Sequence, residues 1–324
     1  MTVAAARAAL DPGLFQPDAI DAETSAFNSQ LAEVLATIPP VWTRPPAETR
    51  ALREAGKGPM GPLVLSQMAE ERSIDGPDGA IKLRTFVPPT VAGVYLFLHG
   101  GGWVLGAAHH NDGPLEALAN NANLAVVSVD YRLAPEHPYP AGPDDCEAAA
   151  VWLAEHAAAE FGSDRLVIGG ESAGGHLSVT TLLRMRDKHG YTGFKAANLV
   201  FGVYDLAGTP SSELAADSLV INRQSMHWFG DHFVPAERRR EPDVSPVYAD
   251  VHNMPPALFT VGTLDPLLDD TLFLYARWIT AGNQAELEVY PGAVHGFVNF
   301  EYPQARQARA RITDYVRAAV RADA

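Results

Sequence analysis

Six short runs made almost wholly of apolar residues recur along the chain: GVYLFLHG, NLAVVSVD, RLVIGG, NLVFGVYD, ALFTVG and AELEVY. A strand with one wet face alternates apolar and polar residues. Runs without that alternation are buried on both faces. Helical segments near 113–122, 143–160, 173–188, 266–281 and 303–322 separate the runs. Short strands covered on both sides and joined by helices give an α/β fold with an open, mostly parallel sheet flanked by helices. The pattern sets in near residue 69 and breaks between about 206 and 245. No strand is predicted in that insertion, where Met226, Trp228, Phe229 and Phe233 gather. Residues 1–60 are polar, Pro-rich and Ala-rich. Leu31, Val34, Leu35 and Ile38 form a helical stripe there, which predicts one or two helices outside the main core.

Composition narrows the class. A chain of 324 residues, 47% hydrophobic, can bury one large core with a small subdomain added. The formal net charge of −15 argues against nucleic acid or an anionic membrane as partner. Arg238, Arg239 and Arg240 lie between Glu237 and Glu241 and read as a surface turn. The single cysteine, Cys146, precludes an internal disulfide and leaves no CxxC or zinc pattern. It reads as a small buried hydrophobe in an Ala-rich helix and suits a cytoplasmic setting. The Ala-rich start, interrupted by Arg7, lacks the basic and long apolar regions of a signal peptide, and no transmembrane segment is expected.

Chemistry concentrates at a few positions. Gly170-Glu171-Ser172-Ala173-Gly174 follows the run RLVIGG and precedes the helical stretch HLSVTTLLRMRDK. A serine in such a strand-turn-helix elbow is held in a strained conformation with its oxygen exposed, and a Cβ at either flanking glycine would clash. His99-Gly100-Gly101-Gly102 ends another run, and bare glycine amides there can approach a developing oxyanion. His99 itself reads as a loop-holding group. A serine hydroxyl needs a base. Of the eleven histidines, His295 lies just beyond the last run, at the C-terminal sheet edge where sites gather. His109, His110, His156 and His189 read as solvated, and His227 and His232 at most line a pocket. Asp265 follows ALFTVG and precedes Pro266. It can orient the base, cap a helix, or do both, with Asp269 and Asp270 as rivals inside the helix.

Together these motifs resemble the bacterial hormone-sensitive-lipase-like esterases of the α/β-hydrolase fold. The resemblance rests on HGGGW at 99–103, DYRLAPEHPYPA at 130–141, GESAGG at 170–175, DPLLDD at 265–270 and HGF at 295–297, and spans roughly residues 60–320. It implies a catalytic domain over 60–324, with residues 1–59 and 206–245 as helical cap elements. It implies a triad of Ser172, Asp265 and His295, an oxyanion hole from the Gly101, Gly102 and Ala173 amides, and bracing of the loops by Asp130, Tyr131 and Arg132. Trp103, Trp228, Phe229 and Phe233 are candidates to line the substrate pocket, with packing as the competing role. Glu171 and His176 stand where the family more often has Asp and Asn.

The expected activity is hydrolysis of short- to medium-chain carboxylic esters through an acyl-enzyme. The same machinery serves amide, formamide or lactone hydrolysis. A receptor-like binding protein on this scaffold is disfavoured by the presence of His295. No metal or organic cofactor is implied, the expected partner is a small-molecule ester, and a homodimer is compatible with the resemblance.

Overall fold

The computed structural model describes residues 10–57 and 61–321. The Ala-rich start around Arg7 and the expected domain boundary at 59–60 lie outside these residues. Among these residues eight strands form one sheet: β1 (Ala69–Gly76), β2 (Gly79–Phe86), β3 (Gly93–Leu98), β4 (Leu124–Asp130), β5 (Leu166–Glu171), β6 (Ala196–Val200), β7 (Ala257–Gly262) and β8 (Ala285–Tyr290). Their spatial order is β1-β2-β4-β3-β5-β6-β7-β8. The six strands from β3 onward run parallel, while β1 and β2 form an antiparallel hairpin whose β2 pairs antiparallel with β4. That hairpin was not anticipated. Its first strand β1, AEERSIDG, is polar and lies at the sheet edge, where only Ile74 is buried. By contrast β3, β6 and β7 are buried at every residue.

Among the described residues nine α-helices surround the sheet: α1 (Ala22–Leu35), α2 (Pro46–Glu54), α3 (Asp112–Ala122), α4 (Ala141–Phe161), α5 (Ala173–His189), α6 (Pro210–Leu214), α7 (Arg223–Phe233), α8 (Leu268–Thr280) and α9 (Pro303–Ala319). One face of the sheet packs on α4, α5 and α8, with Leu153, Leu177 and Trp278 in its core. The other packs on α3 and α9, with Leu115, Ala308 and Val316. Among the described residues no helix is long and apolar enough to cross a membrane. Cys146 is fully buried in α4.

The early helices and the insertion lie over the C-terminal sheet edge. Phe27 of α1 stacks on Tyr302 at 4.2 Å, and Asn28 donates to the Gly292 carbonyl. Arg50 of α2 donates to the carbonyls of Val104 and Ala134. In the 206–245 insertion α6 and α7 are followed by a 3₁₀ turn at Ala236–Arg238, and no strand forms.

The point where β3, β5 and α5 converge is held by contacts only glycine permits. A Cβ on Gly174 would lie 1.8 Å from the Leu98 carbonyl oxygen, and one on Gly170 would lie 2.3 Å from the same atom. Backbone faces backbone, so no side chain can move aside. Gly174→Ala should therefore destabilise the fold by more than about 3 kcal/mol. Gly113→Ala in α3, where a Cβ meets nothing within 4 Å, should be neutral or stabilising by up to about 1 kcal/mol. Denaturant unfolding of the two variants beside the parent chain checks both.

Candidate active site

β5 ends at Glu171, α5 begins at Ala173, and Ser172 makes the turn between them at φ 55°, ψ −120°. A side-chain-bearing residue held there costs on the order of 1–3 kcal/mol, which the surrounding contacts must offset. The Ser172 amide donates to the Val200 carbonyl, pinning the elbow to β6.

The histidine and the acid arrive on loops that follow neighbouring strands. The loop after β8 brings His295 Nε2 to 3.0 Å from Ser172 Oγ. The loop after β7 brings Asp265 Oδ2 to 2.9 Å and Oδ1 to 3.1 Å from His295 Nδ1. Asp265 and His295 are buried, while Ser172 remains half-exposed. The Phe201 ring meets the imidazole edge-on at 4.8 Å. A carboxylate on Nδ1 fixes the tautomer whose Nε2 lone pair faces the serine.

Asp265 also accepts the Leu267 amide, at 2.9 Å. It shapes the turn before α8 and is not that helix's N-cap, because α8 starts at Leu268 with Leu267 in the cap position. Asp269 and Asp270 point elsewhere. Asp269 accepts the Ser211 amide. Asp270 is fully enclosed and accepts the amides of Tyr204 and Asp205 and the Thr209 hydroxyl. Burial pushes its carboxyl up to about 7, partly opposed by those three donors. Both residues fasten the start of the insertion.

Beyond β3, Gly101 and Gly102 take φ values of 121° and 60°, and the Gly101 carbonyl accepts from Leu105. Among the described residues neither glycine N–H donates to a protein acceptor. The Ala173 N–H, first in α5, has no intrahelical acceptor either. His99 stays clear of the serine: it stacks on Tyr131 at 4.2 Å, its Nδ1 meets the Gly100 carbonyl, and burial lowers its imidazole to about 4. Tyr131 donates to the His99 carbonyl, Asp130 accepts the Ala108 amide, and Arg132 forks onto Asp145, so all three brace the surrounding loops.

The aromatic candidates separate. Phe229 of α7 lies directly on Gly102, where a Cβ would come within 2.3 Å of its ring. Trp228, half-buried, packs with Phe229 and Val41 on Val104, Leu105 and Ala134. Trp103 and Phe233 depart from the expectation of a pocket-lining role. Both are buried and stack on each other at 4.4 Å. The Trp103 indole donates to His176 Nδ1 at 3.0 Å, and His176 Nε2 donates to the Val244 carbonyl at 2.8 Å. Burial lowers the His176 imidazole to about 4, so it remains neutral and passes the link from the glycine loop to the end of the insertion.

Two contacts escaped the sequence. The Glu171 carboxylate accepts from Asn299, tying the elbow to the segment that follows His295, and burial raises its carboxyl. No motif marks Asn299. His109 and His110, expected in solvent, both bind Glu54. A hollow of about 630 Å³ between α3 and α9 reaches Glu171 from behind the elbow but is not lined by Ser172.

Strand order, elbow and facing glycine loop define a serine hydrolase on an α/β sheet, and comparison with known proteins agrees. Residues 95–299 match the family described as alpha/beta hydrolase fold. The chain is 38% identical over 271 residues to the carboxylesterase NlhH of Mycobacterium tuberculosis (strain ATCC 25618 / H37Rv), covering 77% of this chain and 82% of that one. It is 34% identical over 268 residues to the carboxylic ester hydrolase LipN of the same organism, covering 78% and 69%. A hyperthermophilic esterase from the archaeon Pyrobaculum calidifontis superposes with a TM-score of 0.83 at 31% identity, over 91% of this chain and 98% of that one. The chain belongs to the α/β hydrolases and, within them, to the carboxylesterases similar to hormone-sensitive lipase.

The three aspartates near α8 give a discriminating test. Asp265→Asn keeps shape and removes the charge facing His295, and should lower kcat by about 10⁴-fold in a folded protein. Asp269→Asn and Asp270→Asn should leave most of kcat and instead loosen residues 204–211, seen as faster proteolysis there. Turnover of p-nitrophenyl acetate at equal folded fraction reads the first effect. A larger kcat loss in Asp269→Asn would reassign the acid.

Proposed function

We propose that the chain hydrolyses short- to medium-chain carboxylic esters through an acyl-enzyme on Ser172. The observation that carries this is the unbroken line from the buried Asp265 carboxylate through His295 to the Ser172 oxygen, with contacts of 2.9 and 3.0 Å. His295 takes the Ser172 proton as Oγ bonds to the ester carbonyl carbon. The carbonyl oxygen becomes an oxyanion held by the amides of Gly101, Gly102 and Ala173. The tetrahedral intermediate collapses, His295 gives its proton to the departing alkoxide, and the alcohol leaves. Water then attacks the acyl-enzyme with His295 again as base, which frees the acid and restores Ser172.

A finite acyl pocket follows from what lies over the glycine loop. Phe229 covers Gly102, and Arg50 and Val41 bring the early helices onto the same loop. These contacts of the described residues support reading residues 1–59 and 206–245 as cap elements over a 60–324 catalytic domain, with 1–9 and 58–60 outside the described residues. A receptor-like role has little support, since His295 is present and within hydrogen-bonding distance of Ser172.

Ser172→Ala should remove several orders of magnitude of kcat, leaving roughly 10³-fold catalysis over water. An organophosphate should add its mass at Ser172 alone, and labelling of a different serine would remove the nucleophile assignment. Across p-nitrophenyl esters kcat/KM should climb by about 1 kcal/mol of binding per methylene until the pocket fills, then fall. Continued increase into emulsified long-chain triglyceride would contradict a capped pocket, and faster cleavage of aryl amides than of matched esters would move the reading to an amidase.

A further inference from the structure

Glu54, His109 and His110 take no part in ester cleavage, yet the fold brings them together from distant segments. Glu54 is the last residue of α2. The two histidines sit in the 3₁₀ turn Ala108–Asn111, directly after the glycine-rich loop. His109 Nε2 lies 3.0 Å from Glu54 Oε2, and His110 Nε2 lies 2.7 Å from Glu54 Oε1. All the donor atoms fall within 4.8 Å of one another. The tight turn sends consecutive imidazoles to the same side, with ring centroids 4.6 Å apart and edge to face.

Two imidazole nitrogens and a carboxylate oxygen are a donor set suited to zinc and its neighbours in the first transition row. Ligand bonds of about 2.0–2.1 Å in a tetrahedron place donor atoms about 3.3 Å apart, a separation inside the 4.8 Å within which the three side chains' donor atoms gather. We propose that Glu54, His109 and His110 bind a divalent transition-metal ion, zinc foremost, which clamps α2 to the turn behind the glycine loop.

Both sides of the clamp are already placed. Arg50, one helical turn before Glu54 on the same face of α2, holds the Val104 and Ala134 carbonyls. The turn is fixed by the Ala108 amide on Asp130 and runs into Asp112, which accepts from Arg84 and from the Ser66 amide. Arg53 opposes added positive charge nearby, and the Glu54 carboxylate counters it.

The test is zinc titrated calorimetrically into the chelator-treated full chain, with thermal melts at each zinc level. One zinc per chain should bind at neutral pH, binding should weaken in acid as the imidazoles protonate, and the melting temperature should rise with zinc. Glu54→Gln, His109→Gln and His110→Gln should each weaken binding by at least the roughly 10–100-fold that loss of a partner outside the ligand set costs. Each should also abolish the zinc-dependent rise in melting temperature. Should His110→Gln fail to fold, the two more exposed positions decide alone. No binding to the parent chain, or binding that survives Glu54→Gln and His109→Gln, overturns the proposal.

Discussion

The closeness of α5 to the end of β3 governs the rest of the site. Gly170 and Gly174 press against the Leu98 carbonyl with no room for a Cβ. This packs the turn at Ser172 against the strand from which the glycine loop departs. Gly100 touches the Glu171 carbonyl from the other side, where a Cβ would come within 2.9 Å. Ser172 and the glycine loop facing it are therefore parts of one rigid backbone contact. Ser172 can be kept at a positive φ because β6 holds its amide and α5, buried from Ala173 to Met185, cannot shift to relieve it. Strain of this size persists only where the surroundings determine the geometry from several sides.

Around that fixed centre, buried polar groups align the movable pieces. Asp265 does two things with one carboxylate, orienting His295 and forming the turn before α8. Glu171 reaches Asn299, so the segment that carries His295 is tied to the residue preceding Ser172. His176 accepts from Trp103 and donates to Val244, joining the glycine loop to the far end of the insertion. A buried polar group with a partner on each side specifies one arrangement, since leaving either partner unmade costs the full desolvation penalty.

Much of this was legible before any coordinates. The parallel strands announced themselves because burial on both faces removes alternation, as in GVYLFL and ALFTVG. Ser172, Asp265 and His295 stood out because each follows a strand at the same sheet edge. The β1–β2 hairpin did not, since an edge strand such as AEERSIDG carries mostly wet side chains and no long apolar run. Trp103 and Phe233 looked like pocket residues because aromatics near a site are equally suited to lining and to packing. Only their mutual stacking separates the two. Asn299 and the Glu54 cluster were invisible for another reason. Their contacts span 128 residues in one case and 55 and 56 in the other, and no local spacing encodes a meeting of that kind.

The insertion between β6 and β7 is closed at its base. The Leu206 amide donates to the Ser245 hydroxyl, that hydroxyl donates to the Arg239 carbonyl, and the Val247 amide returns to the Tyr204 carbonyl. Asp270 grips the incoming backbone at Tyr204 and Asp205. With both ends stapled to the sheet, the segment above behaves as a module on a fixed socket. Lengthening such a loop costs little, about 0.6 kcal/mol of closure entropy per doubling. A change in the length of this segment can therefore leave the socket, and the sheet edge beneath it, in place.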